Sequence, residues 1–269
     1  MKEETRSNID LELRTLLLLT RNLPKIKGIG RIANLLKSFY LRKERLPVVM
    51  DVLDFYMELF PGESISNNSC LFFPQLYDWK EISFIKKNLN KGDVFVDVGA
   101  HIGFYSLVAS RQVGDSGRVI SIEADPEMCK RLNRNIELNK ISNIEVLNFG
   151  VSNKEEVLRL QISDGNKGGN SFLKDRKGLK EVEVKCFSLL ELLKKNNINE
   201  VRGLKIDVEG YEYMVLRHFF SDKNNSYLFP KFIIVENNKN IYGNSLEQLL
   251  VGMGYEMKYI RANNYVFFR

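Results

Sequence analysis

Short apolar runs closed by an acid or a glycine alternate along this chain with segments whose apolar residues recur every three or four positions. Val94–Val98 is one such run, followed by Gly99-Ala100-His101-Ile102-Gly103 and then by Phe104, Leu107 and Val108 at helical spacing. A continuous apolar run is what a strand buried on both faces needs, and the 3.6-residue period marks a helix. The pattern continues with a strand at Arg118–Ile122, a helix at Asp125–Asn139, a strand at Ile144–Phe149, and shorter strands at Val157–Ile162 and Val182–Cys186. A helix at Leu189–Lys195 precedes strands at Gly203–Ile206 and Lys231–Val235. The chain closes with a helix around Leu246–Met253, strands at Tyr255–Ile260 and Tyr265–Phe268, and a turn at Ala262-Asn263-Asn264 between them. Strands alternating with helices predict parallel βαβ units and an α/β fold.

The first part of the chain reads differently. Leu16–Leu19 lies between Arg14 and Arg21, far short of a bilayer span of ~20 residues, and is expected to form one face of a buried helix. From Arg21 to Arg45 eight basic residues face the single acid Glu44, although the whole chain carries only +6. This suits the solvated side of an amphipathic helix, with weak contact to a membrane surface or polyanion as the alternative. Gly28–Ala33 fits G-x-G-x-x-A, but Leu23–Lys27 makes a poor strand, so a helix boundary is expected there. Asp51–Trp79 is aromatic and turn-rich and is expected mainly to pack. Trp79, Ile82 and Ile85 then mark a helix ending near Lys91-Gly92. At 269 residues and 44% hydrophobic content, one sizeable core is expected. Cys70, Cys129 and Cys186 lie far apart, which indicates neither a zinc site nor a disulfide framework and fits a reducing, cytoplasmic compartment.

The chemistry concentrates at strand ends. A glycine turn between a strand and a helix makes a ligand crevice. Here the first position of the turn motif is the anion Asp97, which disfavours phosphate and suits a cationic ligand carrying an ammonium or sulfonium. Glu123 follows the next strand about 20 residues on, where a carboxylate accepts hydrogen bonds from a ribose diol. Asp207 and Glu209 follow the Gly203–Ile206 strand, and Glu236 follows Lys231–Val235. A carboxylate at a buried strand tip implies a partner, whether a ligand ammonium, a substrate proton or a metal. Glu212 is expected to favour a helix N-terminus. The two histidines are His101, in the glycine turn, and His218, in an expected helix.

Phe95–Ser106, the Ile122-Glu123-Ala124-Asp125-Pro126 junction and Lys205-Ile206-Asp207-Val208-Glu209-Gly210-Tyr211-Glu212 together resemble FkbM-type S-adenosylmethionine-dependent methyltransferases. The resemblance spans about Phe73 to the C-terminus. It implies a Rossmann-like class I methyltransferase domain over 73–269: a seven-stranded, mostly parallel sheet closed by an antiparallel hairpin. Residues 1–72 would be a helical and aromatic extension that contacts substrate or a partner. The cofactor implied is S-adenosyl-L-methionine. Asp97, Gly99, His101 and Gly103 would form the methionine-side wall, Glu123 would hold the ribose, and Asn148 and Gly150 would lie by the adenine. The implied reaction is methyl transfer to a hydroxyl of a sugar, glycan or secondary metabolite. Glu209 is the first choice of base, with Glu236, Asp207 and His101 as competitors, and no metal is expected. Asp207-Val208-Glu209-Gly210 lacks the Asp/Asn, proline and aromatic pattern that stacks a flipped base, so nucleic acid is not the expected partner. RNA ribose methylation and a non-catalytic docking role remain as alternatives. Neither acceptor identity nor oligomeric state is readable.

Overall fold

The computed structural model describes residues 11–24, 35, 38, 40–41, 46–163, 169–172, 179–236, 239–261 and 264–269. Most of the basic Arg21–Arg45 segment, the Gly28–Ala33 motif, the Ala262-Asn263 turn and, of the glycine- and lysine-rich segment Gly165–Gly178 that the sequence leads one to expect as a mobile loop, all except 169–172 lie outside the described residues.

Helix α1 (Leu11–Arg21) leads, followed by a hairpin of β1 (Val48–Val52) and β2 (Phe55–Leu59) and by helices α2 (Ile65–Phe72) and α3 (Trp79–Asn88). Then come β3 (Val94–Val98), α4 (Phe104–Val113), β4 (Arg118–Ile122), α5 (Pro126–Leu138) and β5 (Ile144–Leu147). Three further strands, β6 (Gly150–Ser152), β7 (Glu156–Gln161) and β8 (Glu181–Ser188), lead into α6 (Leu189–Lys195). The rest is β9 (Gly203–Ile206), α7 (Glu212–Phe219), β10 (Phe232–Glu236), α8 (Lys239–Tyr242), α9 (Ser245–Gly252), β11 (Glu256–Arg261) and β12 (Asn264–Phe268).

Seven strands form one sheet in the order β11-β12-β10-β9-β3-β4-β5. Neighbours from β10 to β5 are parallel, whereas β12 runs antiparallel to both β10 and β11. The strand expected at Ile144–Phe149 ends at Leu147 as β5, and an additional strand β6, immediately after Phe149, joins β7 and β8 in a separate three-stranded sheet.

Alternation along the strands splits the core in two. Phe95, Phe232, Ile234 and Val266 face one cluster with α4 and the N-terminal elements. Val96, Val98, Ile233, Val235 and Phe267 face the other, with α6, α7 and α9. Both faces are thereby buried, which is why these strands read as unbroken apolar runs.

α1 turns Leu13, Leu16, Leu17 and Thr20 inward and leaves Leu18 and Leu19 exposed. The Leu16–Leu19 patch therefore does not form one buried face, because four consecutive helical residues spread around most of the helix circumference. Among the described residues no helix is long and apolar enough to cross a membrane.

Candidate functional site

β3 and β9 are adjacent at the centre of the sheet, and the crossovers from β3 and β4 return on the same side of it as the N-terminal elements. A ligand crevice is expected where the carboxyl ends of such strands meet. A cavity of about 100 Å³ lies there, walled by Gly99, His101, Glu123, Phe149, Asp207 and Glu209 among others. Gly99 has φ +77°, and a Cβ at that position would collide with the carbonyl oxygen of Asp207, so the β3 and β9 ends approach this closely only around a glycine.

Glu123 accepts backbone N–H bonds from His101 at 2.7 Å and from Asp125 at 2.8 Å, one on each carboxylate oxygen. Burial outweighs these bonds and pushes its pKa up to about 7. Each oxygen keeps an accepting lone pair for a ribose hydroxyl. The neighbouring His101 holds φ +51°, and neither ring nitrogen has a hydrogen-bond partner among the described residues. Burial lowers its pKa to about 4, against the attraction of Asp207, so the imidazole is neutral at pH 7.

Lys205 is the buried cation of the site. It lies beside Asp97 across the β3–β9 register, and its Nζ is 3.1 Å from Asp207 Oδ2. Burial works against the ammonium, but Asp207 and Asp97 more than offset it and raise its pKa. Beyond Asp207, Glu209 takes the left-handed conformation at φ +50°, which costs a non-glycine residue about 1 kcal/mol. Glu212 holds this turn by accepting from the Val208 N–H at 2.8 Å and from the Gly210 N–H, and its other oxygen accepts from Tyr242 Oη at 2.7 Å. The three acids Asp207, Glu209 and Glu236 come together with carboxylate oxygens within 4.8 Å of one another. Such a group can take up a proton or hold a divalent cation.

Three expected cavity residues lie elsewhere. Asp97 is not at the mouth: it is 1% exposed and accepts from Ser106 Oγ at 2.6 Å, while its Oδ1 has no hydrogen-bond partner among the described residues. It precedes the last residue of β3, so its side chain turns under the sheet toward α4. Burial raises its pKa, with Lys205 and Ser106 opposing. The carboxyl groups that line the cavity are those of Glu123, Asp207 and Glu209 instead. Gly103 serves packing, since at φ +88° a side chain there would strike Leu132 of α5. Asn148 is exposed and braces the β4 end, donating to the carbonyls of Glu123 at 2.9 Å and Ala124 at 3.2 Å. Gly150 does line the cavity, together with Phe149.

The sequence reading missed Ser66 of α2, whose hydroxyl is 3.1 Å from Tyr77 Oη, and Asn170 and Phe172 from the β7–β8 connection. No periodicity or motif marks any of them. Lys205 was in view within its motif, but only the folded register shows what it touches.

The sheet order, the crossovers and an acid-lined crevice at the strand ends define a Rossmann-like class I methyltransferase fold. Residues 97–267 match the family model of the methyltransferase FkbM domain. The chain belongs to the FkbM methyltransferase family, and its methyl donor is S-adenosylmethionine. Among characterised relatives it is 32% identical over 81 residues to protein-L-isoaspartate O-methyltransferase 2 of Archaeoglobus fulgidus, covering 30% of this chain and 31% of that protein. It is 28% identical over 132 residues to protein-L-isoaspartate O-methyltransferase of Fervidobacterium nodosum, covering 47% and 54%. The matches thus span about a third to a half of these relatives' lengths. A solved structure of an S-adenosylmethionine-dependent O-methyltransferase from Thermotoga maritima aligns at 14% identity and a TM-score of 0.43, covering 70% of this chain and 63% of that one.

The residues present suit this donor. Gly99 lets the β3 and β9 ends close together at the crevice, Glu123 offers acceptors to a diol, and apolar Phe149 and Leu160 are among the walls.

Proposed function

We propose that this protein transfers a methyl group from S-adenosylmethionine to a hydroxyl oxygen of a sugar, glycan or secondary metabolite, with Glu209 as the base. The observation that carries this reading is the convergence of Asp207, Glu209 and Glu236 beside the cofactor cavity.

When bound, S-adenosylmethionine supplies a sulfonium methyl group open to in-line displacement. The protein's residues do the rest. Glu123 and the Gly99 turn fix the donor, and this positioning accounts for several kcal/mol of a possible ~7–11 from proximity. A neutral hydroxyl is a weak nucleophile, so a carboxylate must receive its proton as the oxygen attacks. Glu209 lines the cavity and sits on a strained turn fastened by Glu212, which makes it the favoured acceptor of that proton. Lys205 orients Asp207, leaving the paired acids as neighbours that tune Glu209. Neutral His101 contributes its backbone N–H to Glu123 and is the weaker candidate for the base.

The test is Glu209→Gln. Calorimetric affinity for S-adenosylmethionine should stay within about threefold, while release of S-adenosylhomocysteine with a panel of hydroxylated acceptors should fall by about 10²-fold or more. Unchanged turnover removes Glu209 as base. The wild-type protein turning over with no acceptor in a broad panel of sugars and glycans would favour a non-catalytic docking role.

A further inference from the structure

The volume of the cavity is the starting point. At about 100 Å³ it is well below the ~300 Å³ at which small-molecule sites begin, so a ligand of nucleoside size requires one wall to move. Most walls are strand ends of the central sheet or turns bonded to them. The other walls are Ser66 of α2, Gly150, Val151 and Leu160 of the three-stranded sheet, and Asn170 and Phe172, which come from the connection between β7 and β8.

This short segment is fastened at both ends of the site. Asn170 donates from Nδ2 to Asp125 Oδ2 at 2.8 Å, next to the Glu123 turn, and accepts from the Ser163 N–H at 2.9 Å. Ser171 pairs its backbone with Gln161 in both directions, at 3.1 and 3.2 Å. Its hydroxyl donates to the carbonyl of Glu209 at 3.0 Å. Phe172 packs edge-on to Tyr211 at 5.8 Å, and its ring edge would lie 3.0 Å from a Cβ at Gly150. Phe172 and Phe149 thus both line the cavity.

We propose that Asn170, Ser171 and Phe172 form a strap that binds the adenosine half of S-adenosylmethionine: it swings off the cavity to admit the cofactor and then closes with Phe172 against the adenine. This rests on the cofactor occupying this cavity. An aromatic face against a base is a sequence-tolerant contact of substantial strength. Ser171 joins the strap to the turn carrying Glu209, so closure over the cofactor and placement of that acid are mechanically linked.

The experiment is calorimetric titration of the full chain with S-adenosylhomocysteine. Binding by the wild type establishes the cavity as the cofactor site; its absence overturns both the strap and the site. Given wild-type binding, Phe172→Ala should raise Kd by about tenfold or more and Phe172→Tyr should restore it to within about threefold. Kd unchanged or lowered in Phe172→Ala overturns the proposal, a lowered value meaning that the segment only obstructs the site. Should Phe172→Ala fail to fold, hydrogen exchange of the wild type decides: saturating S-adenosylhomocysteine should slow exchange at the amide of Ser171 by at least tenfold. Unaltered exchange there overturns the proposal equally.

Discussion

Glu123 couples pH to both stability and binding. Its carboxyl is raised from 4.5 to about 7, chiefly by burial, so the folded state favours the neutral form. The stability this group contributes is therefore complete below about pH 4.5 and is lost as pH rises through 7, an effect on the order of 3 kcal/mol. The urea midpoint of the ligand-free protein should fall between pH 5 and 7.5, and Glu123→Gln should flatten that part of the profile. Identical profiles would remove Glu123 as the titrating group. A ribose diol donates to the carboxylate and so favours its ionised form; cofactor affinity should accordingly rise over the same window, with proton release measurable in buffers of different ionisation enthalpy. Lys205 permits a second test. Lys205→Met leaves Asp207 without its 3.1 Å partner, and turnover should fall at least tenfold with a smaller change in cofactor Kd. Lys205→Arg should recover part of the loss.

Among the elements, α5 ties the β1–β2 hairpin to the glycine turn. Asn135 is fully buried, accepts from the Glu58 N–H at 2.8 Å and donates to the Ile102 carbonyl at 2.9 Å. Asn139 adds a reciprocal pair with the backbone of Tyr56, so side chains of α5 complete the edge of β2 as another strand would. Arg131, 6% exposed, donates to Glu63 at 2.6 Å and Glu127 at 3.1 Å with its guanidinium 3.5 Å over the Phe60 ring. Asn135→Ala removes the partners of the half-buried Glu58 N–H and the buried Ile102 carbonyl, at a cost of about 2 kcal/mol. Thermal unfolding should shift down by several degrees. Because Ile102 belongs to the glycine turn, cofactor Kd should rise as well; lost stability with unaltered Kd would separate α5 from the site.

At the scale of the whole molecule, one face of the sheet is covered by residues that precede the family domain. Leu13, Leu16, Val52, Phe55, Leu59 and Phe72 share a core with Phe95, Leu107, Phe232 and Val266. A chain beginning at Phe73 would expose that face, and it should be recovered insoluble or lack a cooperative unfolding transition by circular dichroism. Soluble, cooperative folding of 73–269 would show that the remaining contacts suffice.

The alternation of strands and helices, the strand-end acids and the glycine turn were legible in the sequence because each depends on local chemistry. A strand buried on both faces must be apolar throughout, and a carboxylate that ends it stands out. The β1–β2 hairpin was not legible. Its two-residue turn is Leu53-Asp54, both at positive φ, in place of the Asn-Gly or Asp-Gly that such a turn favours. Helix α2 escaped for a related reason: it buries Asn67, Asn68 and Ser69, leaving no amphipathic stripe, and the two asparagine amides find their Phe60 and Gly62 partners only in the folded chain. What the sequence determined by itself was which residues end strands and which chemistry they carry. Only the tertiary structure decided where they point. Asp97 lies under the sheet because residue parity along β3 sends its side chain toward α4, and three acids separated along the chain meet because β9 and β10 are neighbours. Ser66 and Phe172 enter the site from distant segments because packing brings them there.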